Sequence, residues 1–135
     1  MKLAINDKES KESNESNEFN WIILCKDNIE LAFVIAEVSL FANDENRNKA
    51  KGFHDNLIIN LLSVIYMHVA SLDSPTPISA YKLVCETDAL ELVEILSKSS
   101  NQSIVKVANL VKKMNEKVIY DYLSVIKDKL KWIDI

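Results

Sequence analysis

The chain has 135 residues, of which 48% are hydrophobic, and its 16 basic and 20 acidic side chains give a formal net charge of −4. This length fits one domain, and the hydrophobic fraction is too high for a disordered chain. The acidic balance argues against a general nucleic-acid coat, and one glycine with two prolines argues against a sheet-rich fold.

The first 18 residues differ in composition from the rest. Residues 6–18 are a run of Lys, Glu, Ser, Asn and Asp without any apolar side chain. Because such a run has nothing to bury, residues 1–18 are predicted to be a disordered lead or linker, and residues 19–135 one all-α domain. Residues 1–20 lack the apolar stretch of a signal peptide, and residues 57–72 are too short and polar for a membrane span. A soluble, cytoplasmic chain is therefore expected.

Two helices are predicted in the first half of the domain. Helix one covers residues 27–41, capped by Asp27 or Asn28, and a charged connection at residues 42–51 follows it. Helix two covers residues 53–71 and is apolar on most sides, which is typical of a helix at the centre of a bundle. The predicted inward residues are Ile29, Phe33, Ala36 and Leu40, widened by Leu31, Ile35 and Val38, in helix one, and Leu57, Ile58, Leu61, Leu62, Ile65, Met67 and Val69 in helix two.

Two prolines interrupt the helical pattern after helix two. Proline cannot donate a backbone hydrogen bond, and it restricts the residue before it, so Pro75 and Pro77 forbid further helix. Thr76 followed by Pro77 predicts the start of a short helix three at residues 78–85. Thr87 is predicted to cap helix four, at residues 88–99.

Two more helices complete an all-α bundle of about six helices with a buried central helix. Helix five starts at Ser100 or Asn101, and Asn115 caps helix six. Trp132 is expected to close the end of the bundle. The predicted inward residues are Leu90, Val93 and Leu96 in helix four, Ile104, Val107, Ala108 and Val111 in helix five, and Val118, Tyr122, Val125, Ile126 and Leu130 in helix six.

No pattern of residues indicates an active site. A single glycine rules out a glycine-rich phosphate loop. Cys25 and Cys85 are isolated among apolar residues, so they are predicted to be reduced core thiols and not zinc ligands. No catalytic, cofactor-binding or metal-binding residue is expected, and the chain is predicted not to be an enzyme by itself.

The remaining titratable candidates have ordinary structural interpretations. His54 lies beside a predicted helix boundary, and His68 is expected in the core or at its rim. Glu91 and Glu94 are three residues apart on one helical face. Paired carboxylates can perform acid–base chemistry, but no histidine or metal ligand accompanies these two, which favours a solvated face.

Basic residues concentrate in the last third of the chain. From position 98 to 131 there are eight lysines and three acidic residues, whereas the first 60 residues carry seven basic and eleven acidic side chains. A basic third suits an acidic partner or a phosphate backbone, and it also suits a solvated lysine-rich surface. The candidate partner or DNA contacts are Lys106, Lys112, Lys113, Lys117 and Lys127.

Several short motifs share one order along residues 19–135. They are the pair Phe19 and Asn20, residues 28–38, residues 52–56, residues 61–70, residues 75–79, residues 82–84 with 89–96, and residues 124–130. In this order they resemble the all-α domain of the coupling proteins of conjugative type IV secretion systems, the TraG/TraD-like family. Three positions depart from that family: Trp21 replaces a proline, His54 a tryptophan, and Leu57 an alanine.

This resemblance implies a substrate-recognition domain that is not catalytic by itself. Its expected partner is a relaxase or relaxosome accessory protein, with DNA as an optional second partner. In that family the domain is part of a hexameric, membrane-anchored, DNA-pumping ATPase, so the expected location is the cytoplasmic face of the cell membrane. The residues leave one alternative open, a small helical regulatory or immunity-type module that binds a partner through an acidic face.

Overall fold

A computed structural model describes residues 19–42 and 50–134 of the chain, and within them the secondary structure is entirely helical. The helices are α1 (Ile29–Phe41), α2 (Phe53–Ala70), α3 (Pro77–Glu86), α4 (Ala89–Ser97), α5 (Gln102–Lys112) and α6 (Glu116–Lys129), with an N-terminal 3₁₀ turn (Trp21–Cys25) and a C-terminal 3₁₀ turn (Lys131–Asp134). The predicted all-α bundle of about six helices is confirmed. The lead predicted at residues 1–18 and most of the connection predicted at residues 42–51 lie outside the described residues.

Helix α2 is the centre of the bundle, as its apolar composition predicts. Twelve of its 18 residues are buried, and from Leu57 onward almost every side chain is covered. The N-terminal 3₁₀ turn and all five other α-helices pack against it. Since burying one Leu or Ile side chain contributes roughly 1.5–3 kcal/mol, this one helix supplies much of the hydrophobic stabilisation.

The proline break forms the predicted helix start. Thr76 caps α3, its Oγ1 accepting from the Ser79 backbone N–H at 3.0 Å, while the Ser79 Oγ accepts from the Thr76 N–H at 2.9 Å. Pro77 occupies the first helical position, where no N–H is needed. The break is also tied to the start of the described chain, because Asn20 Nδ2 donates to the Pro75 carbonyl at 2.8 Å.

Helix α4 is capped one residue later than predicted. Asp88 is its cap, and the Oδ2 of Asp88 accepts from the backbone N–H groups of Leu90 and Glu91 at 3.1 and 3.3 Å. Thr87 instead ends α3, since its N–H donates to the Leu83 carbonyl. The prediction that Thr87 caps α4 is therefore wrong, because the carboxylate of Asp88 accepts from the first-turn N–H groups of α4.

The other predicted caps agree with the structure. The side chain of Asn28 accepts from the Leu31 N–H at 3.0 Å, which decides between the two candidates for α1. Asp27, the other candidate, has a positive φ of 57°, which Asp tolerates better than most residues. Asn101 and Asn115 cap α5 and α6 in the same way.

Two residues predicted to face inward lie on the surface. Val38 is 42% exposed and Val125 is 38% exposed, whereas the neighbouring Ser39 and Ile126 are buried. In α1 the buried face includes small residues, Ala32, Ala36 and Ser39, so the true inward stripe is rotated away from Val38. Hydrophobicity alone favours valine over serine for burial, and the error follows from that preference.

A buried serine and three aromatic rings join the two ends of the described chain. The Tyr66 hydroxyl donates to Ser39 Oγ at 2.9 Å, and Ser39 Oγ donates to the Ile35 carbonyl at 2.8 Å. Trp21 packs edge-on against Tyr66 with ring centroids 5.2 Å apart, and Trp132 lies 6.2 Å from Trp21. We call Trp21, Ser39, Tyr66 and Trp132 the aromatic cluster.

The aromatic cluster also engages the backbone. Trp132 Nε1 donates to the carbonyl of Ser39 at 3.2 Å, so the C-terminal 3₁₀ turn is held against α1. Burial raises the pKa of Tyr66 far above its usual value, because a phenolate there would lack solvent. Each polar group in the cluster thus has a partner in its protonated, neutral form, as buried polar groups require.

The Tyr66–Ser39 bond gives a testable coupling. Ser39→Ala leaves a buried phenol without its acceptor and is expected to cost about 1–3 kcal/mol, and Tyr66→Phe about 1 kcal/mol. The double variant should lose less than the sum of the two, because no polar partner is then left unpaired. Urea unfolding of all four proteins measures this, and additive losses would show that the bond contributes nothing.

A second prediction concerns His68, which is half-buried on α2. Burial lowers its pKa, because desolvation disfavours the charged ring. The folded chain therefore binds a proton less readily than the unfolded chain. The free energy of unfolding should fall as the pH drops below about 6.5, the ordinary pKa of histidine. His68→Asn should flatten this loss when urea unfolding is compared at pH 7.5 and 5.5, and an unchanged slope would contradict the prediction.

Candidate functional site

The five predicted lysines do not form one surface. Lys106 lines an apolar groove between α1, α2 and α5, whereas Lys127 lines a separate cleft beside α6. Lys113 follows the last residue of α5 and is exposed. That these lysines contact a partner or DNA stays a prediction.

Two of the five lysines have acidic neighbours. Lys112 Nζ lies 3.0 Å from Glu94 Oε1, and Lys117 Nζ lies 3.2 Å from Asp121 Oδ2. The Lys112 pair joins α5 to α4, and it lowers the pKa of Glu94 through a hydrogen bond and its charge. The sequence pattern predicts only a solvated face for Glu94. Its carboxylate is partly exposed, and it also forms this ion pair with Lys112. An exposed ion pair of this kind contributes little stability.

The groove that includes Lys106 is more apolar than the cleft that includes Lys127. Its volume is about 340 Å³, and its residues come from three helices. We call it the α1/α2/α5 groove, and its lining residues are Ile29, Leu57, Asn60, Ser103, Lys106, Val107 and Leu110. The residues from α5 recur every three or four positions, so they form one side of that helix.

The floor of the α1/α2/α5 groove is covered and its edge is open. Leu57 is only 8% exposed, whereas Leu110 is 48% exposed. Phe53 lies four residues before Leu57, on the same side of α2, and is 66% exposed. Leu110 does not belong to the buried stripe predicted for α5. An apolar residue outside the predicted stripe of its helix is therefore the feature of the sequence that could have indicated the open edge of the groove.

A second cleft, of about 500 Å³, lies between α6 and the junction of α3 and α4. Its charged residues are Glu86, Asp88, Asp121 and Lys127, so it is mostly acidic. We call it the α3/α6 cleft. Its central contact is the hydrogen bond that Tyr120 donates to Asp88 Oδ1 at 2.7 Å.

Two groups of the α3/α6 cleft, Asp88 and Tyr120, shift each other's pKa. The hydrogen bond from Tyr120 and the backbone N–H groups lower the pKa of Asp88. The same bond raises the pKa of Tyr120. Asp88 thus stays a carboxylate and Tyr120 a phenol near neutral pH. A proton-transfer catalyst needs a pKa close to the working pH, so these shifts point away from that role.

The cysteines and histidines have structural surroundings. Cys25 is buried, and burial raises its pKa to about 12, which makes its thiol unreactive. Cys85 is half-buried, so the prediction of a core thiol is wrong for it, and both cysteines are free. His54 Nδ1 makes a short hydrogen bond with the Tyr122 hydroxyl, a link between α2 and α6 that adjacency in sequence cannot reveal.

In residues 19–42 and 50–134 no group of three or more His, Cys, Asp or Glu side chains is arranged to hold a metal ion. Over the same residues, no helix combines the length and apolar character that a membrane crossing requires.

No protein-family model, curated protein or solved structure matches the chain. The resemblance to coupling proteins therefore stays a hypothesis.

The Asp88 contacts predict unequal effects of two neighbouring substitutions. Asp88→Ala removes the cap of α4 and the acceptor of Tyr120, and it should lower the folding equilibrium constant roughly fivefold or more. Thr87→Ala is the matched control and should leave that constant within about twofold. Urea unfolding at pH 7 compares them, and equal losses would return the capping role to Thr87.

Proposed function

We propose that the chain is a non-catalytic protein-recognition domain, and that its partner is a relaxase or relaxosome accessory protein of a conjugative system. The observation that carries the recognition role is the α1/α2/α5 groove, which leaves the apolar side chain of Leu110 open to solvent. Exposed apolar residues next to a concave surface are typical of interaction sites.

The contrast with the α3/α6 cleft supports recognition over catalysis. In the cleft, Asp88 makes three hydrogen bonds within the fold, and Tyr120 makes one of them. In the groove, Leu110 is 48% exposed, and its apolar side chain has no hydrogen bond to make. Polar groups whose hydrogen bonds are all made within the chain have a structural role. Apolar surface that stays exposed is available for contact with another molecule.

The identity of the partner follows from the resemblance, not from the groove. The ordered motifs of residues 19–135 are similar to the coupling-protein domain, which is thought to receive the relaxase–DNA substrate. DNA is the optional second partner, and the candidate lysines are its expected contacts. Because Lys106 and Lys127 line different concave surfaces, each would contribute separately to any DNA binding.

Binding to the cognate relaxase tests this proposal. The full 135-residue chain, shown to be folded by circular dichroism, should bind the relaxase of its own conjugative element with a Kd on the order of tens of micromolar or tighter. A relaxase from an unrelated element is the control and should bind at least tenfold more weakly. Absence of binding at about 100 μM would overturn the relaxase assignment.

The same experiment has a DNA arm. Where DNA joins the complex, its affinity should fall steeply with salt, because lysines that contact phosphates release counterions. Lys106→Ala and Lys127→Ala should each reduce the salt dependence. A flat response to salt would remove DNA from the list of partners.

A second candidate function has one specific observation in its favour. The outer side of α1 carries Glu30 and Glu37 beside Val34 and Val38, of which the valines are 53% and 42% exposed. Helix α1 contains no basic residue. An acidic and apolar face suits a small regulatory or immunity-type module that binds a basic partner. Loss of binding in a Val34→Asp variant, with groove variants unaffected, would favour this candidate.

A further inference from the structure

We propose that the α1/α2/α5 groove binds one amphipathic helix of the partner, with its apolar side chains over the groove and its acidic side chains beside the lysines of α5. This rests on the proposed function in that the ligand is taken to be a protein. It adds the place of contact and the chemistry of the segment that is recognised.

The apolar part of the groove suits a helix. The apolar lining residues come from three different helices and surround one concave surface; they are Ile29, Leu57, Val107 and Leu110. An amphipathic helix places apolar side chains at i, i+3, i+4 and i+7, which is how such helices dock into grooves between helices. A volume of about 340 Å³ is at the low end for a small-molecule site, and the open edge at Leu110 would leave such a ligand exposed.

The charge beside the groove indicates the charge expected on the partner's helix. Helix α5 contains no acidic residue. Lys106 lines the groove together with Leu110, and Lys113, seven positions after Lys106, directly follows the last residue of α5. Within residues 19–42 and 50–134 no carboxylate lies at ion-pair distance from either lysine, whereas Lys112, on the other side, is paired with Glu94. Glutamate or aspartate beside the apolar residues of a partner helix would complement Lys106 and Lys113.

Two other occupants fit the groove less well. A DNA backbone would pair with the lysines but would leave Leu110 and Phe53 uncovered, because phosphate contacts require cations and not apolar side chains. Two copies of the chain facing each other through this groove would bring the lysines of both α5 helices together, and like charges across an interface are unfavourable. Peptide titration, DNA competition and a measurement of self-association distinguish these two occupants from a partner helix.

A designed peptide is the direct probe. It has about 18 residues, with leucine at i, i+3, i+4 and i+7 and glutamate at the outward positions. The control peptide replaces every glutamate by lysine. When ¹⁵N-labelled full chain is titrated with the acidic peptide, amide shifts should concentrate at Leu57, Ser103, Val107 and Leu110. The lysine peptide should bind at least tenfold more weakly.

Surface substitutions test whether Leu110 and Lys106 contribute to the affinity for the acidic peptide. Leu110→Ser should weaken the acidic peptide roughly tenfold, and Lys106→Glu roughly fivefold. Val125→Ser is the matched control, since Val125 is an exposed apolar residue of α6 outside the groove, and it should change affinity less than twofold. Circular dichroism of each variant establishes that it is folded.

The groove proposal is overturned if the amide shifts map to another surface or if the lysine peptide binds equally well. It is also overturned if the chain self-associates through α5 and this blocks the peptide. Double-stranded DNA that displaces the peptide and retains its affinity in Leu110→Ser would assign the groove to nucleic acid instead. Relaxase binding that is unaffected by Leu110→Ser would also overturn it and leave the proposed function intact. Peptide binding at the groove without relaxase binding would retain the groove and remove the relaxase assignment.

Discussion

The hydrogen bond between the Tyr66 hydroxyl and Ser39 Oγ, 2.9 Å long and buried, joins α1 to α2, the helix against which the rest of the bundle is packed. It sets the approach of α1 to α2, and the rings of Trp21 and Trp132 close over it. Removing the Ser39 hydroxyl leaves the Tyr66 phenol unpaired in the core, which costs more than the bond itself contributes, whereas Ser39 keeps its bond to the Ile35 carbonyl when the Tyr66 hydroxyl is removed. Both ends of the described chain therefore meet at this contact, through the Trp21 and Trp132 rings and the bond from Trp132 Nε1 to the Ser39 carbonyl.

The same two helices provide two walls of the α1/α2/α5 groove. Helix α5 forms the third wall, and it is held against α4 by packing and by the Lys112–Glu94 pair. The apolar edge at Leu110 and Phe53 is thus carried by helices that are rigid for other reasons. A recognition surface on a rigid support loses little conformational freedom when a partner binds, which favours affinity.

Local signals in the sequence predicted much of the fold. Each of these signals acts on residues only a few positions away from it, and the structure agrees with each of them. They are the caps at Asn28 and Asn115, the start of α3 at Thr76 and Pro77, and the apolar run of α2. The errors have a shared cause. Thr87 and Asp88 are both good capping residues, and only the closeness of α3 and α4 decides between them. Nothing before Asp27 predicted the N-terminal 3₁₀ turn, because its stability comes from packing against α1 and α2.

The amino-acid sequence by itself determined that this chain is a helical bundle with α2 at its centre, because helix periodicity and capping are interactions between residues close in the chain. The tertiary structure decided which apolar side chains stay open, since Leu110 becomes the edge of a groove only where α1 and α2 lie beside α5. It likewise decided which lysines are paired, since Lys112 meets Glu94 across two helices and Lys106 meets no acidic residue of the described chain. Contacts of this kind depend on the relative positions of whole helices, and no local pattern encodes them.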